Sequence, residues 1–236
     1  MKGDASVSEA NAHDSIDAIL AAYDDHVETV TLFRDQLLAA LTNSGKLAEH
    51  IHSIGSRIKD RDHLREKLAR KIQVCETEGS EFLITPGNLL TAVNDLAGVR
   101  VLHLYTRQIR NIDSILKAIF DEQMYELREG PFARTWDDES RQFFQECGIE
   151  TQDSPTMYTS VHYVIGSASR TTVTCEIQVR TLMEEVWGEV DHTINYPAPT
   201  SIVACREQLK VLARATSTAT RLVDAIFATY EDAKEK

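Results

Sequence analysis

Apolar residues recur at helical spacing over five stretches of the chain. This spacing predicts amphipathic helices over residues 16–41, 62–75, 109–123, 181–194 and 202–230. The buried stripe of the second helix is expected at Leu64, Leu68, Ile72 and Cys75. The buried stripe of the fourth is expected at Leu182, Val186, Val190 and Ile194.

Strict alternation of apolar and polar residues predicts strands elsewhere. In VTCEIQVR, residues 173–180, every second side chain is polar, which places Glu176, Gln178 and Arg180 on one face. A strand over residues 158–165 precedes it across a Gly-Ser turn, so an antiparallel hairpin is expected. Further strands are predicted over residues 51–58 and 99–105, whereas residues 125–155 look irregular.

Interleaved helices and strands with at least one hairpin predict an α/β (α+β) fold, a mixed-direction sheet flanked by helices. We divide the chain into an N-terminal helical extension (1–48), a core (49–198) and a C-terminal helix (199–236).

Composition narrows the class of protein. The 236 residues carry 37 acidic and 25 basic side chains, a net charge of −12, which argues against a general nucleic-acid or anionic-membrane binder. The four cysteines are far apart and form no CxxC pair, so we do not expect a zinc site, and we expect Cys175 to be a buried thiol in a reducing cytoplasm. Neither a secretory signal nor an apolar run of the ~20 residues needed to span a membrane is found.

A cationic segment contrasts with this acidic background. Residues 55–71, GSRIKDRDHLREKLARK, hold seven Lys or Arg and three acids. On a helix, one face would carry His63, Lys67, Arg70 and Lys71. Converging cations suit a polyphosphate, since Arg binds phosphate oxygens in pairs and Lys acts as a point charge. The alternative is a solvated helix face with internal charge pairs.

Two further groups of residues suggest nucleotide chemistry. Asp95 comes just before an apolar strand, and facing Glu176 across a sheet it would suit Mg²⁺, although a turn aspartate is the alternative. In YTSVH, residues 158–162, Tyr158, Ser160 and His162 share a face that could stack on a base and bond its edge or ribose. The alternative is a half-buried strand. Together these groups indicate phosphoryl-type transfer, in which positioning and charge neutralisation supply most of the catalysis.

Four motifs in this order resemble one known family. They are RIK (57–59) with Lys67 and Arg70, DLAGVR (95–100), YTSVH (158–162) and EIQVRTLMEEVWGEVDHTINY (176–196). The region 55–196 resembles the synthetase domain of RelA/SpoT-type proteins, which are ATP-dependent pyrophosphokinases with a nucleotidyltransferase-like fold.

The resemblance implies a role for each matching residue. Arg57 and Arg100 would sandwich the adenine of ATP, and Tyr158 would stack on the acceptor base. Asp95 and Glu176 would bind Mg²⁺, with Glu176 also helping to deprotonate the attacking hydroxyl. The ATP phosphates would be held by Lys59, Lys67, Arg70 and, where the family usually has Ser, His63. The acceptor pocket would be completed by Ser160, His162 and Gln178.

The implied reaction is attack by the ribose 3′-hydroxyl of GTP or GDP on the β-phosphorus of ATP, giving (p)ppGpp and AMP. The chain resembles a small stand-alone synthetase without a hydrolase domain. Such proteins are often homo-oligomers. Some of them are toxins that pyrophosphorylate the 3′ end of tRNA and that have an antitoxin as a partner. That tRNA reaction is the main alternative, and a catalytically dead nucleotide-binding module is a lesser one.

The acceptor side departs from the family pattern. The family usually has Asn-Gly before the tyrosine and Arg after it, where this chain has Thr156-Met157 and Thr159. The approach CGIETQDSPTM, residues 147–157, holds two acids and no Lys or Arg. Cations for an acceptor 5′-phosphate would therefore have to come from elsewhere, such as Arg128 or Arg134.

Overall fold

The predicted alternation of helices and strands is confirmed by a computed structural model, which describes residues 4–196 and 198–234, with side chains from residue 15 onward. The ends of the predicted extensions, residues 1–3 and 235–236, lie outside this range. The helices are α1 (Asp4–Thr42), α2 (Gly45–Ala48), α3 (Arg61–Glu78), α4 (Leu89–Ala92), α5 (Ile109–Glu122), α6 (Asp138–Glu146), α7 (Leu182–Asn195) and α8 (Val203–Lys234). The strands are β1 (Ser53–Ile58), β2 (Ala97–His103), β3 (Glu126–Thr135), β4 (Glu150–Asp153), β5 (Ser160–Gly166) and β6 (Thr174–Thr181).

The strands form one six-stranded mixed sheet in the order β1-β2-β6-β5-β3-β4. Strand β2 pairs antiparallel with β1 and parallel with β6. Strand β5 pairs antiparallel with both β6 and β3, and β4 runs parallel to β3. The predicted hairpin, now β5 and β6, and the mixed sheet flanked by helices are both confirmed.

One face of the sheet is apolar and faces the core. Val99, Val101, Ile177 and Val179 are buried there with residues of α1 and α5. The buried Tyr163 of β5 donates its hydroxyl to Asp113 of α5 at 3.0 Å, which satisfies its polar end. This face fixes the register, because a slip of one residue would turn the apolar set outward.

The opposite face carries polar side chains in aligned rows. The strand register places Arg100, Gln178, His162 and Phe132 side by side across β2, β6, β5 and β3. A second row begins at Arg57 of β1 and passes through Gly98 to Glu176. The predicted polar face of residues 173–180 is thus the middle of a wider polar surface.

Two local predictions are wrong. On α7, Val186 and Val190 are exposed and the buried residues are Glu184 and Trp187. This helix packs against β2, β6 and α8, so its inward side meets the polar face of the sheet instead of an apolar core.

Residues 125–155 form β3, α6 and β4 instead of an irregular segment. Two register shifts in the pairing of β3 with β5 interrupt its alternation, which hides the strand in the sequence. Within the described residues, no helix is long and apolar enough to cross a membrane.

Candidate active site

A cavity of about 260 Å³ opens over β1, β2 and β6 on the polar face. Its walls include Arg57, Arg100, Glu176, Gln178 and Glu185, with the backbone of the small residues Gly55 and Gly98 beneath. Both arginines that the resemblance assigns to adenine therefore line one cavity, and the carboxylate of Glu176 reaches it from the neighbouring strand. We call this space the donor cavity.

Asp95 lies between two lysines just before β2. Lys59 Nζ is 2.7 Å from one carboxylate oxygen of Asp95 and Lys67 Nζ is 2.5 Å from the other. Burial alone would raise the pKa of Asp95, but the charges of Lys67 and Lys59 lower it to about 2. Asp95 is therefore ionised at any physiological pH. The helix carrying Lys67 begins directly after β1, where Asp60 caps it by accepting the backbone N–H groups of Asp62 and His63.

Glu176 is held by two neighbours on the sheet. Its Oε1 lies 2.9 Å from His162 Nδ1, and its Oε2 accepts from the Gln178 amide at 3.0 Å. Burial raises the pKa of Glu176, but hydrogen bonding and charge from His162 outweigh it and leave the pKa below its usual value. The negative charge of Asp95 acts in the opposite direction and raises the pKa of Glu176.

The donor set fits Mg²⁺ better than a softer metal. Two carboxylates beside a cationic cluster suit an ion that takes oxygen ligands, keeps several waters and shares substrate phosphates. Among the described residues, no group of three or more His, Cys, Asp or Glu side chains converges, as an all-protein metal site would need.

A second cavity of about 470 Å³ adjoins the first and is lined by residues of α7 and the turn before β5. We call it the acceptor cavity; Tyr158 and Trp187 form its aromatic wall. Their rings are nearly parallel, at 9°, with centroids 6.4 Å apart. The Tyr158 hydroxyl lies 3.3 Å from Arg134 Nη1 and 3.4 Å from His162 Nε2. His162 thus links the aromatic residue to the Glu176 carboxylate.

An ionic network joins α7 to strands β2 and β6 beside the two cavities. Arg100 contacts Glu185 and, at 2.8 Å, Glu189, while Arg180 contacts Glu185. Gly188 makes room for this network, because a Cβ at that position would lie 2.8 Å from Arg180 Nη1. The arginines are therefore fixed in direction before any ligand arrives.

Three predicted site residues take no part in these ion pairs and hydrogen bonds, and of those that do, Lys59, Lys67, Asp95 and His162 line neither cavity. His63 is exposed on the first turn of α3, with its ring edge against Tyr196 at 4.9 Å between centroids. Arg70 also lies near Tyr196. Burial and Glu66 raise the pKa of Tyr196, and Arg70 acts against them. Ser160 is buried and donates to the Val179 carbonyl at 3.4 Å, so it lines neither cavity.

Several residues at the site were not assigned from the sequence. Phe132 stacks on His162 at 5.2 Å and Arg134 lies over the Phe132 ring, but both sit on the strand that sequence periodicity missed. Of the two arginines considered for the acceptor side, Arg134 reaches Tyr158, and Arg128 pairs with Glu126. Trp187 belongs to the motif of residues 176–196, but its contact with Tyr158 could not be predicted because it depends on how α7 packs in the fold.

Comparison with known proteins identifies the family. Residues 56–201 match the model of the region found in RelA / SpoT proteins, which is more than half of the chain. The chain belongs to this family. The curated relative GTP pyrophosphokinase YwaC of Bacillus subtilis (strain 168) is 27% identical over 146 residues, which cover 60% of this chain and 56% of the relative. The match thus spans little more than half the length of YwaC.

Solved structures agree on the RelA/SpoT fold. A GTP pyrophosphokinase family protein from Streptococcus pneumoniae superposes with a TM-score of 0.61 at 19% identity, covering 89% of this chain and 93% of that one. The small alarmone synthetase 1 of B. subtilis, bound to its product pppGpp, superposes with a TM-score of 0.57 at 18% identity, covering 86% and 93%.

One departure from the RelA/SpoT pattern has a structural meaning. Met157 adopts φ 64°, a left-handed conformation that suits the glycine usually found before the family's tyrosine. This chain makes the same turn with a side chain present, at a cost of about 1–2 kcal/mol.

Proposed function

We propose that this protein is an ATP-dependent pyrophosphokinase that transfers the β,γ-diphosphate of ATP to the ribose 3′-hydroxyl of GTP or GDP. The products are AMP and the guanosine 3′-diphosphates (p)ppGpp. The relatives named a GTP pyrophosphokinase and an alarmone synthetase bound to pppGpp support this assignment.

The observation that carries the proposal is the pair of adjoining cavities. The donor and acceptor cavities share Arg57, Arg100 and Gln178 in their walls, and Glu176 lies on the strand beneath. A transfer between two bound nucleotides needs two adjoining sites, because holding the reactants close together supplies much of the rate enhancement. Here the two sites adjoin next to the Glu176 carboxylate.

Each side chain has a distinct task in the proposed transfer. Arg57 and Arg100 stack on the donor base, and Lys59 and Lys67 bind the phosphate chain. Tyr158 stacks on the acceptor base and places its ribose toward Glu176. Because Glu176 is ionised at neutral pH and bonded to His162, it can accept the proton of the 3′-hydroxyl while His162 fixes its direction.

Asp95 and Glu176 are the residues that would hold Mg²⁺, which when bound neutralises charge on the phosphates. Lys59 and Lys67 lie on either side of Asp95, so their positive charges are next to one of these two carboxylates. The protein's own part is therefore to hold these ionised groups in place before the reaction, Glu176 on β6, Asp95 just before β2 and Lys67 on α3.

The 3′ end of tRNA is a second candidate acceptor, and one observation favours it. Two of the three arginines in the acceptor cavity, Arg100 and Arg180, are already paired with Glu185. An acceptor with a 5′-triphosphate would have to compete with Glu185 for these two arginines, whereas the terminal nucleoside of a tRNA brings no such phosphates. Arg134, which contacts Tyr158 without pairing to any described carboxylate, offers one cation to a free nucleotide.

Thin-layer chromatography of products from γ-labelled ATP tests the assignment, with GDP, GTP and total tRNA offered in separate reactions. Label in a guanosine 3′-diphosphate supports the proposal. Label in tRNA alone moves the function to the second candidate. ATP binding without product from any of the three acceptors would indicate a catalytically dead module and refute both.

A further inference from the structure

We propose that Glu184 is a positioning residue that holds the acceptor tyrosine in place through the backbone of Thr159, and that its ionisation tunes acceptor use. The inference rests on the proposed function, because it assumes that Tyr158 binds the acceptor. Glu184 lines neither the donor nor the acceptor cavity.

Tyr158 sits at the end of a tight turn in which three successive backbone N–H groups are hydrogen-bonded. Met157 N–H donates to the Ser154 carbonyl at 2.9 Å, and Tyr158 N–H donates to the Ser154 hydroxyl at 3.2 Å. The next donor, Thr159 N–H, lies just before the first residue of β5, and Glu184 Oε2 accepts it at 2.9 Å. The direction of Tyr158 is thus set by Ser154 on one side and Glu184 on the other.

Helix α7 holds the same turn at two points. Glu184 and Trp187 are three positions apart, so they project from one side of the helix. Glu184 fixes the backbone after Tyr158, while Trp187 lies parallel to its ring. Since α7 follows β6 directly, these contacts couple the acceptor wall to the strand that carries Glu176.

The surroundings of Glu184 are closed and rich in hydroxyl groups. It is only 5% exposed and borders a cavity of about 30 Å³ together with hydroxyls from β6, α6 and α8. The charged groups facing it are Arg180 of β6, Arg221 of α8 and Asp137 before α6. Arg180 and Arg221 are already engaged, by Glu185 and by Asp137 respectively, so Glu184 has no ion pair of its own among the described residues.

This isolation makes Glu184 sensitive to pH near neutrality. Burial raises the pKa of Glu184 to about 7, against the opposing effects of the Thr159 N–H and Arg180. Above that pH the carboxylate accepts a charge-assisted bond, whereas below it the neutral acid accepts a weaker one. The turn should therefore be held more firmly at pH 8 than at pH 6.

Steady-state kinetics test the inference with whichever of GDP, GTP or tRNA the wild-type protein uses. Glu184→Ala should raise the acceptor KM about tenfold, the loss expected for a hydrogen bond to a charged group, and leave the ATP KM within about twofold. Glu184→Gln keeps a side-chain oxygen that can accept the Thr159 N–H. At pH 6 its KM for the acceptor substrate should therefore equal that of the wild type. The ratio of wild-type to Glu184→Gln acceptor KM should fall from pH 6 to pH 8, and taking the ratio cancels titration of the substrate itself.

A fluorescence measurement gives a readout that needs no activity. In a Trp136→Phe background, Trp187 is the remaining tryptophan and reports on the Tyr158 turn. Its emission should titrate with a midpoint near pH 7, and this transition should vanish in Glu184→Gln but persist in Glu28→Gln, the same change on an exposed part of α1.

The outcomes separate the positioning role of Glu184 from the proposed pyrophosphokinase function. Equal loss of acceptor and ATP affinity in Glu184→Ala, or an unchanged Trp187 titration in Glu184→Gln, would overturn the positioning role. If wild-type protein transfers to none of the three acceptors, the proposed function fails, and the fluorescence titration alone then decides whether Glu184 controls the turn.

Discussion

At the scale of single residues, the site depends on a carboxylate whose neighbours define its state. Glu176 is bonded to His162 and Gln178, and these contacts keep it ionised despite burial. The alternation of residues 173–180 was enough to predict that these polar side chains share a face. It could not show that His162 would bridge Glu176 to Tyr158, because that contact requires the register between β5 and β6.

Replacing Glu176 with Gln should separate chemistry from folding. The amide fills nearly the same volume, so the midpoint of thermal unfolding should stay within a few degrees. Turnover should fall by about a hundredfold to ten-thousandfold, the contribution of a general base. Product formation and thermal melts of Glu176→Gln measure both quantities, with Glu150→Gln on the edge strand β4 as the matched control. Near-full activity in Glu176→Gln would remove this residue from the reaction.

Met157 offers a residue-scale test of backbone strain. Because it holds φ 64° with a side chain present, Met157→Gly should raise the free energy of unfolding by about 1 kcal/mol. Urea denaturation measures the change, and Met183→Gly in α7, where glycine is unfavourable in a helix, should change it in the opposite direction. A destabilised Met157→Gly protein would mean that the methionine side chain packs more favourably than the strain costs.

At the scale of elements, the five long helices were predicted because an amphipathic helix normally turns its apolar stripe toward the core, whereas the short helices α2, α4 and α6 were missed. Of the stripe predicted for α3, Leu64 and Leu68 are buried, while Ile72 and Cys75 are only half-buried. Helix α7 breaks the rule since it covers a polar surface, and its inward contacts are made by Glu184 and Trp187. Strand β3 escaped prediction because its register shifts destroy the period on which recognition depends.

The exposed side of α7 can be probed directly. Val190→Ser should change the free energy of unfolding by less than about 0.5 kcal/mol, as expected for a surface position. Trp187→Ala should cost about 3–5 kcal/mol, because it removes a buried ring and its 3.1 Å hydrogen bond to the Leu209 carbonyl. Chemical denaturation of the two variants compares them, and comparable losses would show that both sides of α7 are covered.

At the scale of the whole molecule, burial of Glu184 makes stability depend on pH. Its pKa is raised from 4.5 to about 7 on folding, so the folded state binds the proton more tightly than the unfolded state. The stabilisation is complete below the unfolded pKa and is lost as pH rises through about 7. The full loss corresponds to at most about 3 kcal/mol.

Glu184→Gln removes this titration, and it should gain stability relative to wild type between pH 5 and pH 8. Urea denaturation at several pH values measures the difference in free energy, and Glu28→Gln should follow wild type throughout. A constant difference between Glu184→Gln and wild type across this range would show that Glu184 does not change its ionisation there.

The common wall of the two cavities ties the affinities of their occupants together. Arg57, Arg100 and Gln178 cannot be rearranged by one ligand without altering the surface offered to the other. By thermodynamic reciprocity, the factor by which a bound donor changes the dissociation constant of the acceptor equals the factor by which a bound acceptor changes the dissociation constant of the donor. Order of addition can therefore alter how fast the ternary complex assembles, but never how much of it is present at equilibrium.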